Sequence, residues 1–122
     1  MNSKKKILYV DDEAMNLKVF QMSFEKKFNI ITANSGNAGL QKLKEDPEIS
    51  VIISDMKMPE MNGIEFIRIA KNEFPDNFYF VLTAFDINQE ILEALKQGLI
   101  YNHFQKPFNK RELEELISQV LS

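Results

Sequence analysis

VIISDMKMPEMNG, residues 51–63, is the most informative segment of this chain. Its first residues, Val51–Ile53, are continuously apolar rather than alternating, which is typical of a strand covered on both faces of a parallel sheet. That strand is expected to end in Asp55, so an acidic side chain directly follows a buried strand. Such a residue is ordinarily a solvent-exposed acid in a loop. The residues that follow the other predicted strands show whether this holds for Asp55.

Short apolar runs alternate with amphipathic segments on both sides of this segment. The predicted strands are Ile7–Val10, Ile30–Ala33, Val51–Ile53, Phe78–Leu82 and His103–Gln105, the last of which is weak by composition. Apolar residues at helical spacing follow each of them. Five βα repeats predict an α/β fold: a (βα)5 doubly wound, five-stranded parallel sheet between two helical layers, or flavodoxin-like three-layer sandwich.

Three predicted helix starts have the spacing of a capping box, in which two side chains cap the backbone N–H groups reciprocally. The pairs are Asn62 with Glu65, Asp86 with Gln89, and Asn109 with Glu112. Gly98 stands where a helix would end in a left-handed conformation.

The composition is that of one globular domain. The chain has 122 residues, of which 44% are hydrophobic and 27% charged. A net charge of -3 gives no support to nucleic-acid binding, and the lack of cysteine excludes disulfides and thiolate nucleophiles. The first apolar run, Ile7–Val10, is too short for a signal peptide or a membrane span, so no membrane insertion and a cytoplasmic location are expected.

Chemically useful side chains stand at the ends of four predicted strands. They are Asp11-Asp12-Glu13 after the first, Asp55 after the third, Thr83 at the fourth and Lys106-Pro107 after the fifth. Ligand sites of open α/β sheets lie beyond the carboxyl ends of the strands, so these groups are expected to converge. Each is unremarkable alone, but their joint position indicates a functional site.

The chemistry of this set fits phosphoryl transfer. Asp11, Asp12 and Asp55 would repel one another and raise at least one carboxyl pKa unless a cation lies between them. Mg²⁺, or Mn²⁺ in its place, removes that conflict by binding carboxylates, water and phosphoryl oxygens. Asp55 can act as the nucleophile, while the metal, Lys106 and the Thr83 hydroxyl compensate the charge on the phosphoryl oxygens.

In combination and order, four motifs resemble the receiver domain of two-component response regulators. They are ILYVDDE at 7–13, VIISDMKMPEMNG at 51–63, LTA at 82–84 and KPF at 106–108. The resemblance covers essentially the whole chain and implies a single receiver domain over residues 1–122. It also implies a signalling switch rather than a turnover enzyme, one that catalyses its own phosphorylation and dephosphorylation.

The resemblance implies a role for each acidic residue. Asp55 matches the phosphorylated aspartate, Asp12 the direct magnesium ligand, and Asp11 the acid that usually acts through water. Lys57 matches the residue that lends its backbone carbonyl to the metal, with its side chain toward the site entrance.

Other matched positions shape the site. Ala84 is small, as the family requires where a phosphohistidine must approach. Met58-Pro59 and Gly63 shape the loop after the acceptor, and Gly63 is expected to adopt a positive φ at the start of the next helix. Pro107 resembles the cis-proline that fixes the preceding lysine.

His103 departs from the family pattern. Thr83 and Lys106 match the two phosphate-sensing residues, and the family usually has Tyr or Phe three residues before the lysine. That aromatic ring turns inward when the threonine moves toward the phosphate. His103 is the only histidine of the chain, and two hypotheses stay open: its ring fills the aromatic slot, or its protonation couples the output face to pH.

The resemblance also implies partners. A sensor histidine kinase or a histidine phosphotransfer protein would donate the phosphoryl group, and the surface around the fourth helix, fifth strand and fifth helix would then change its population of states. No direct binding to nucleic acid is expected. The downstream effector and a phosphorylation-dependent dimer stay open, as does the choice between a stand-alone regulator and part of a longer protein.

Three other protein classes share parts of this pattern. A flavodoxin-like flavin or nucleotide binder needs a Gly/Ser/Thr-rich phosphate loop where this chain has Asp11–Glu13. A haloacid-dehalogenase-type phosphatase usually needs a second acid where this chain has Lys57, and a larger chain with a cap. A degenerate receiver that acts purely as an interaction module stays open, although the complete set of site residues argues against it.

Overall fold

Five strands alternate with five helices in a computed structural model that describes residues 4–84 and 87–121. The strands are β1 Lys6–Val10, β2 Asn29–Ala33, β3 Ile49–Asp55, β4 Phe78–Thr83 and β5 Asn102–Gln105. The helices are α1 Ala14–Phe24, α2 Gly36–Glu45, α3 Gly63–Glu73, α4 Gln89–Lys96 and α5 Lys110–Leu121. All five predicted strands are therefore present, including the compositionally weak β5.

All strand pairs are parallel, in the order β2-β1-β3-β4-β5. The order reverses at β1, which pairs with β2 on one side and with β3 on the other. The register places Val10 opposite Ser54, so the residues after β1 and at the end of β3 reach the same edge. The predicted doubly wound (βα)5 sheet is confirmed.

Two apolar layers enclose the sheet. One layer joins α1 and α5 to the sheet, with Phe20 and Ile117 fully buried in it. The other joins α2, α3 and α4, with Ile67 and Ile91 fully buried. β3 supplies both layers from alternate residues, which explains its continuously apolar sequence. Each such side chain stabilises the fold by about 1.5–3 kcal/mol.

The helix termini follow the predicted capping in part. The Asn62–Glu65 box forms completely, with bonds of 2.8 and 2.9 Å. At the α5 start the Asn109 side chain accepts a hydrogen bond from the Glu112 N–H at 3.0 Å, and Gly98 adopts a φ of 71° after α4. Asp86 lies outside the described residues, and α4 is capped by the Asn88 side chain.

The prediction of a positive φ at Gly63 is wrong. Within residues 4–84 and 87–121, positive φ angles belong to Glu60 and Gly98. Gly63 is needed for a different reason, because a Cβ there would lie 2.5 Å from the Asp55 carbonyl oxygen and 3.1 Å from Met56 Cα. Its N–H donates to the Met56 carbonyl at 2.8 Å. The start of α3 thus packs directly on the backbone that carries Asp55.

Candidate functional site

A cleft of about 500 Å³ opens at the carboxyl edge of the sheet. Among the predicted site residues, those lining it are Asp55, Lys57, Met58, Thr83, Ala84 and Lys106. Glu13, Asn62 and Asn88 line it as well. Sequence reasoning treated Asn62 as a helix cap and did not single out Asn88. Their place in the cleft follows from α3 and α4 both beginning at this edge.

Three carboxylates meet beside this cleft. Asp11, Asp12 and Asp55 each offer one oxygen, and these oxygens lie within 4.8 Å of one another. Asp11 is fully buried and Asp55 is 7% exposed, whereas Asp12 is exposed. An oxygen-only set of this kind suits a hard divalent cation, and its exposed member leaves the site open to solvent.

Hydrogen bonds to both carboxylate oxygens hold Asp11. The Glu13 backbone N–H donates to Oδ1 at 3.0 Å, and the Tyr9 hydroxyl donates to Oδ2 at 2.7 Å. Sequence reasoning missed Tyr9 as a site residue. A signal was available, since residues two apart on a strand point to the same face and Tyr9 precedes Asp11 by two.

Lys106 bridges two of the acids. Its Nζ lies 3.0 Å from Asp55 Oδ1 and 3.6 Å from Asp11 Oδ2. Burial alone would lower the pKa of Lys106, but the interactions with Asp55 and Asp11 outweigh it and raise that pKa. The side chain is therefore an ammonium ion. The Lys106–Pro107 peptide bond is cis, as predicted, and the Lys106 N–H donates to the Thr83 carbonyl at 2.7 Å.

The environment of Asp55 resists ionisation. Burial raises the pKa of this carboxyl most, the hydrogen bond from Lys106 lowers it, and the charges of Asp11 and Asp12 raise it further. The net direction is upward. A cation placed among the three acids would reverse the unfavourable electrostatics and favour the carboxylate form.

The remaining predicted residues occupy distinct positions. Thr83 is 4% exposed at the end of β4, and Met58 is 8% exposed in the loop after β3. Lys57 is exposed at the cleft. Pro59 follows in the same exposed loop.

His103 lies in β5 opposite Val81 and does not line the cleft. It is half-buried, and strand alternation directs it to the sheet face that packs against α4, since Phe104 belongs to the α1/α5 layer. Its Nδ1 atom is buried without a hydrogen-bond partner among residues 4–84 and 87–121. Both hypotheses for His103 stay open at this position.

No helix in the described ranges is both long enough and apolar enough to span a membrane.

Comparison with known proteins identifies the family. The model of the response regulator receiver domain matches residues 7–118, and the chain therefore belongs to the receiver domains of two-component response regulators. Chemotaxis protein CheY1 of Helicobacter pylori is 29% identical over 120 residues, covering 95% of this chain and 96% of that protein. A response regulator receiver domain protein from Clostridium thermocellum is 30% identical with a TM-score of 0.87, covering 93% of this chain and 91% of that one.

Longer relatives carry a matching region as well. The hydrogenase transcriptional regulatory protein HoxA of Cupriavidus necator is 24% identical over 94% of this chain. The chain spans only 24% of the length of HoxA. The likeness to HoxA therefore concerns one region of that regulator.

Proposed function

We propose that Asp55 accepts a phosphoryl group from the phosphohistidine of a sensor histidine kinase or a histidine phosphotransfer protein. The observation that carries this proposal is the meeting of three carboxylates within 4.8 Å, with the Lys106 ammonium 3.0 Å from Asp55. An Asp55 oxygen attacks phosphorus and forms a P–O bond. The P–N bond to the donor histidine breaks, and its electron pair stays on the ring nitrogen.

The acidic cluster would hold Mg²⁺ or Mn²⁺. Asp12, Asp55 and the Lys57 backbone carbonyl would be direct ligands, and Asp11 would act through water. The bound ion supplies charge compensation for the phosphoryl oxygens. The fit rests on the oxygen-only donors and on the raised pKa of Asp55, which a cation would correct.

Two side chains would bind the phosphoryl group once it is on Asp55. Lys106 is close enough to exchange its contact with Asp55 for one with a phosphoryl oxygen. The Thr83 hydroxyl would donate to another, and Ala84 leaves the donor histidine room to approach. Pro107 and the loop containing Met58, Pro59 and Gly63 would keep this geometry.

The signal would leave through α4, β5 and α5. Movement of Thr83 toward the phosphoryl group changes the end of β4, and His103 on the neighbouring strand would act as the aromatic-type switch. The change is a shift between two populations of one chain, here taken as a single receiver domain over residues 1–122. A cytoplasmic location, no direct contact with nucleic acid, and hydrolysis of its own aspartyl phosphate are parts of the same proposal.

Intact-mass measurement tests the proposal. Incubation with acetyl phosphate and MgCl₂ should add the mass of one phosphoryl group, and EDTA should prevent it. Asp55→Asn should abolish the addition, whereas Asp46→Asn, a surface carboxylate paired with Lys6, should leave it unchanged. Lack of addition to the wild type, or addition that persists in Asp55→Asn, would contradict the proposal and favour a pure interaction module.

A further inference from the structure

We infer that Tyr9 is a positioning residue for the proposed cation site, acting through its hydrogen bond to Asp11. This inference rests on the proposed function. The Tyr9 hydroxyl donates to Asp11 Oδ2 at 2.7 Å, and both residues are shielded from water, with exposures of 1% and 0%. A short O–H···O⁻ bond in such surroundings is stronger than one between neutral groups.

The ring of Tyr9 cannot easily turn away from Asp11. It stacks on Phe20 of α1 with a centroid distance of 4.1 Å and an interplanar angle of 9°. Phe20 in turn contacts Phe108 edge-on at 5.7 Å, two residues after Lys106. The hydroxyl is thereby fixed by α1 and by the segment that carries Lys106.

Tyr9 gives Asp11 Oδ2 a hydrogen-bond donor that does not depend on the position of Lys106. Besides the Tyr9 hydroxyl, the Lys106 ammonium lies near Asp11 Oδ2, at 3.6 Å. When Lys106 turns to a phosphoryl oxygen, Asp11 Oδ2 keeps the Tyr9 hydroxyl as donor. Without that hydroxyl, a fully buried carboxylate oxygen would lose its nearest donor, which is costly in a protein interior.

Tyr9→Phe removes the hydroxyl and keeps the ring, so its effect on cation binding tests the role. We expect Mg²⁺ affinity, measured by NMR titration of the full chain, to fall roughly tenfold, the lower end for removal of a partner of a metal ligand. Tyr79→Phe is the matched control. Tyr79 is also 1% exposed and donates to a backbone carbonyl, that of Phe74 at 2.8 Å, near the opposite end of β4 from the site. Loss of the Tyr79 hydroxyl should leave Mg²⁺ affinity unchanged.

A double-mutant cycle shows whether Tyr9 acts through Asp11. In the Asp11→Asn background, Tyr9→Phe should change Mg²⁺ affinity less than twofold. An undiminished effect in that background would overturn the inference, as would equal affinities of the wild type and Tyr9→Phe. Absence of Mg²⁺ binding to the wild type would instead refute the proposed function and this inference together.

If Tyr9→Phe does not fold, an NMR measurement on the wild type tests the same coupling between the Tyr9 hydroxyl and the cation. With ¹³C-labelled tyrosine, the Tyr9 Cζ resonance should move on addition of MgCl₂, while that of Tyr79 should not. A Tyr9 resonance that stays in place while backbone signals of Asp12 move would refute the coupling between this hydroxyl and the cation.

Discussion

At Asp55, burial disfavours the negative charge of the carboxylate. The carboxyl is almost fully buried beside Asp11, and burial raises its pKa above the ordinary value of 3.8. A carboxyl whose pKa is raised in the folded protein stabilises the fold below its unfolded pKa, and that contribution is lost as pH rises through the folded pKa. The cation-free protein therefore lacks this contribution at a pH above the raised pKa of Asp55.

Asp55→Asn should accordingly raise the free energy of unfolding in EDTA at pH 7, by on the order of 1 kcal/mol, the usual scale of a single substitution. The gain should shrink as the pH falls through the raised pKa of Asp55, because the carboxyl then becomes protonated in the wild type as well. Urea denaturation at pH 7 and at a pH below that pKa measures both quantities. A loss of stability at pH 7 would contradict the expectation.

Asp46→Asn provides a control of opposite sign. The hydrogen bond from Lys6 lowers the pKa of Asp46, and a lowered carboxyl pKa stabilises the fold above the unfolded value and loses that effect as pH falls. Replacement of Asp46 should not increase stability at pH 7. A similar gain in both variants would indicate a general effect of net charge rather than a property of the site.

At the scale of elements, the contact between α3 and the end of β3 holds Asp55 in place. Gly63→Ala would bring a Cβ to 2.5 Å from the Asp55 carbonyl oxygen, and the three nearest atoms are all backbone of Asp55 and Met56, which leaves little room to adjust. We expect a loss of about 1–3 kcal/mol in the free energy of unfolding, as for other overpacked sites. Thermal and urea denaturation in EDTA would measure it.

Gly36→Ala is the matched control for this contact. A Cβ at Gly36 would meet the Sδ atom of Met61 at 2.6 Å, and that flexible side chain can move aside. Each glycine is the first residue of its helix, so helix propensity does not distinguish the two variants. Gly36→Ala should therefore be less destabilising than Gly63→Ala, and the reverse order would show that the α3–β3 contact is not tight.

The spacing of apolar residues predicted the strands and helices well, because that spacing reflects which side chains are buried. The apolar run Val51–Ile53 located β3, although pairing with β1 and β4 extends that strand to Ile49–Asp55. The role of Gly63 was mispredicted, since close approach of two backbones is a tertiary feature that leaves no local pattern. Tyr9 was missed for a different reason. Its spacing from Asp11 places both on one face, but an aromatic residue in an apolar strand is expected to be core, and the partner of its hydroxyl depends on rotamer and neighbours.

For the whole molecule, the proposed cation site links binding to stability. Its acids come from β1 and β3, strands that meet only when the sheet has formed. At Mg²⁺ concentrations of roughly 100 times Kd, the free energy of unfolding should rise by about 2.7 kcal/mol. Thermal unfolding with MgCl₂, compared with NaCl at equal ionic strength, measures the gain. Asp12→Asn should remove most of it, and an equal gain with NaCl would show that screening alone is responsible.

The strand order gives the two halves of the site different mechanical stiffness. β1 and β3, which carry the acids, are each hydrogen-bonded to strands on both sides, whereas Lys106 follows β5 at the border of the sheet. Displacing an inner strand would break two ladders of backbone hydrogen bonds, and displacing β5 disturbs one. A force exerted between Asp55 and Lys106 is therefore taken up mainly as movement on the Lys106 side, while the carboxylates keep their positions.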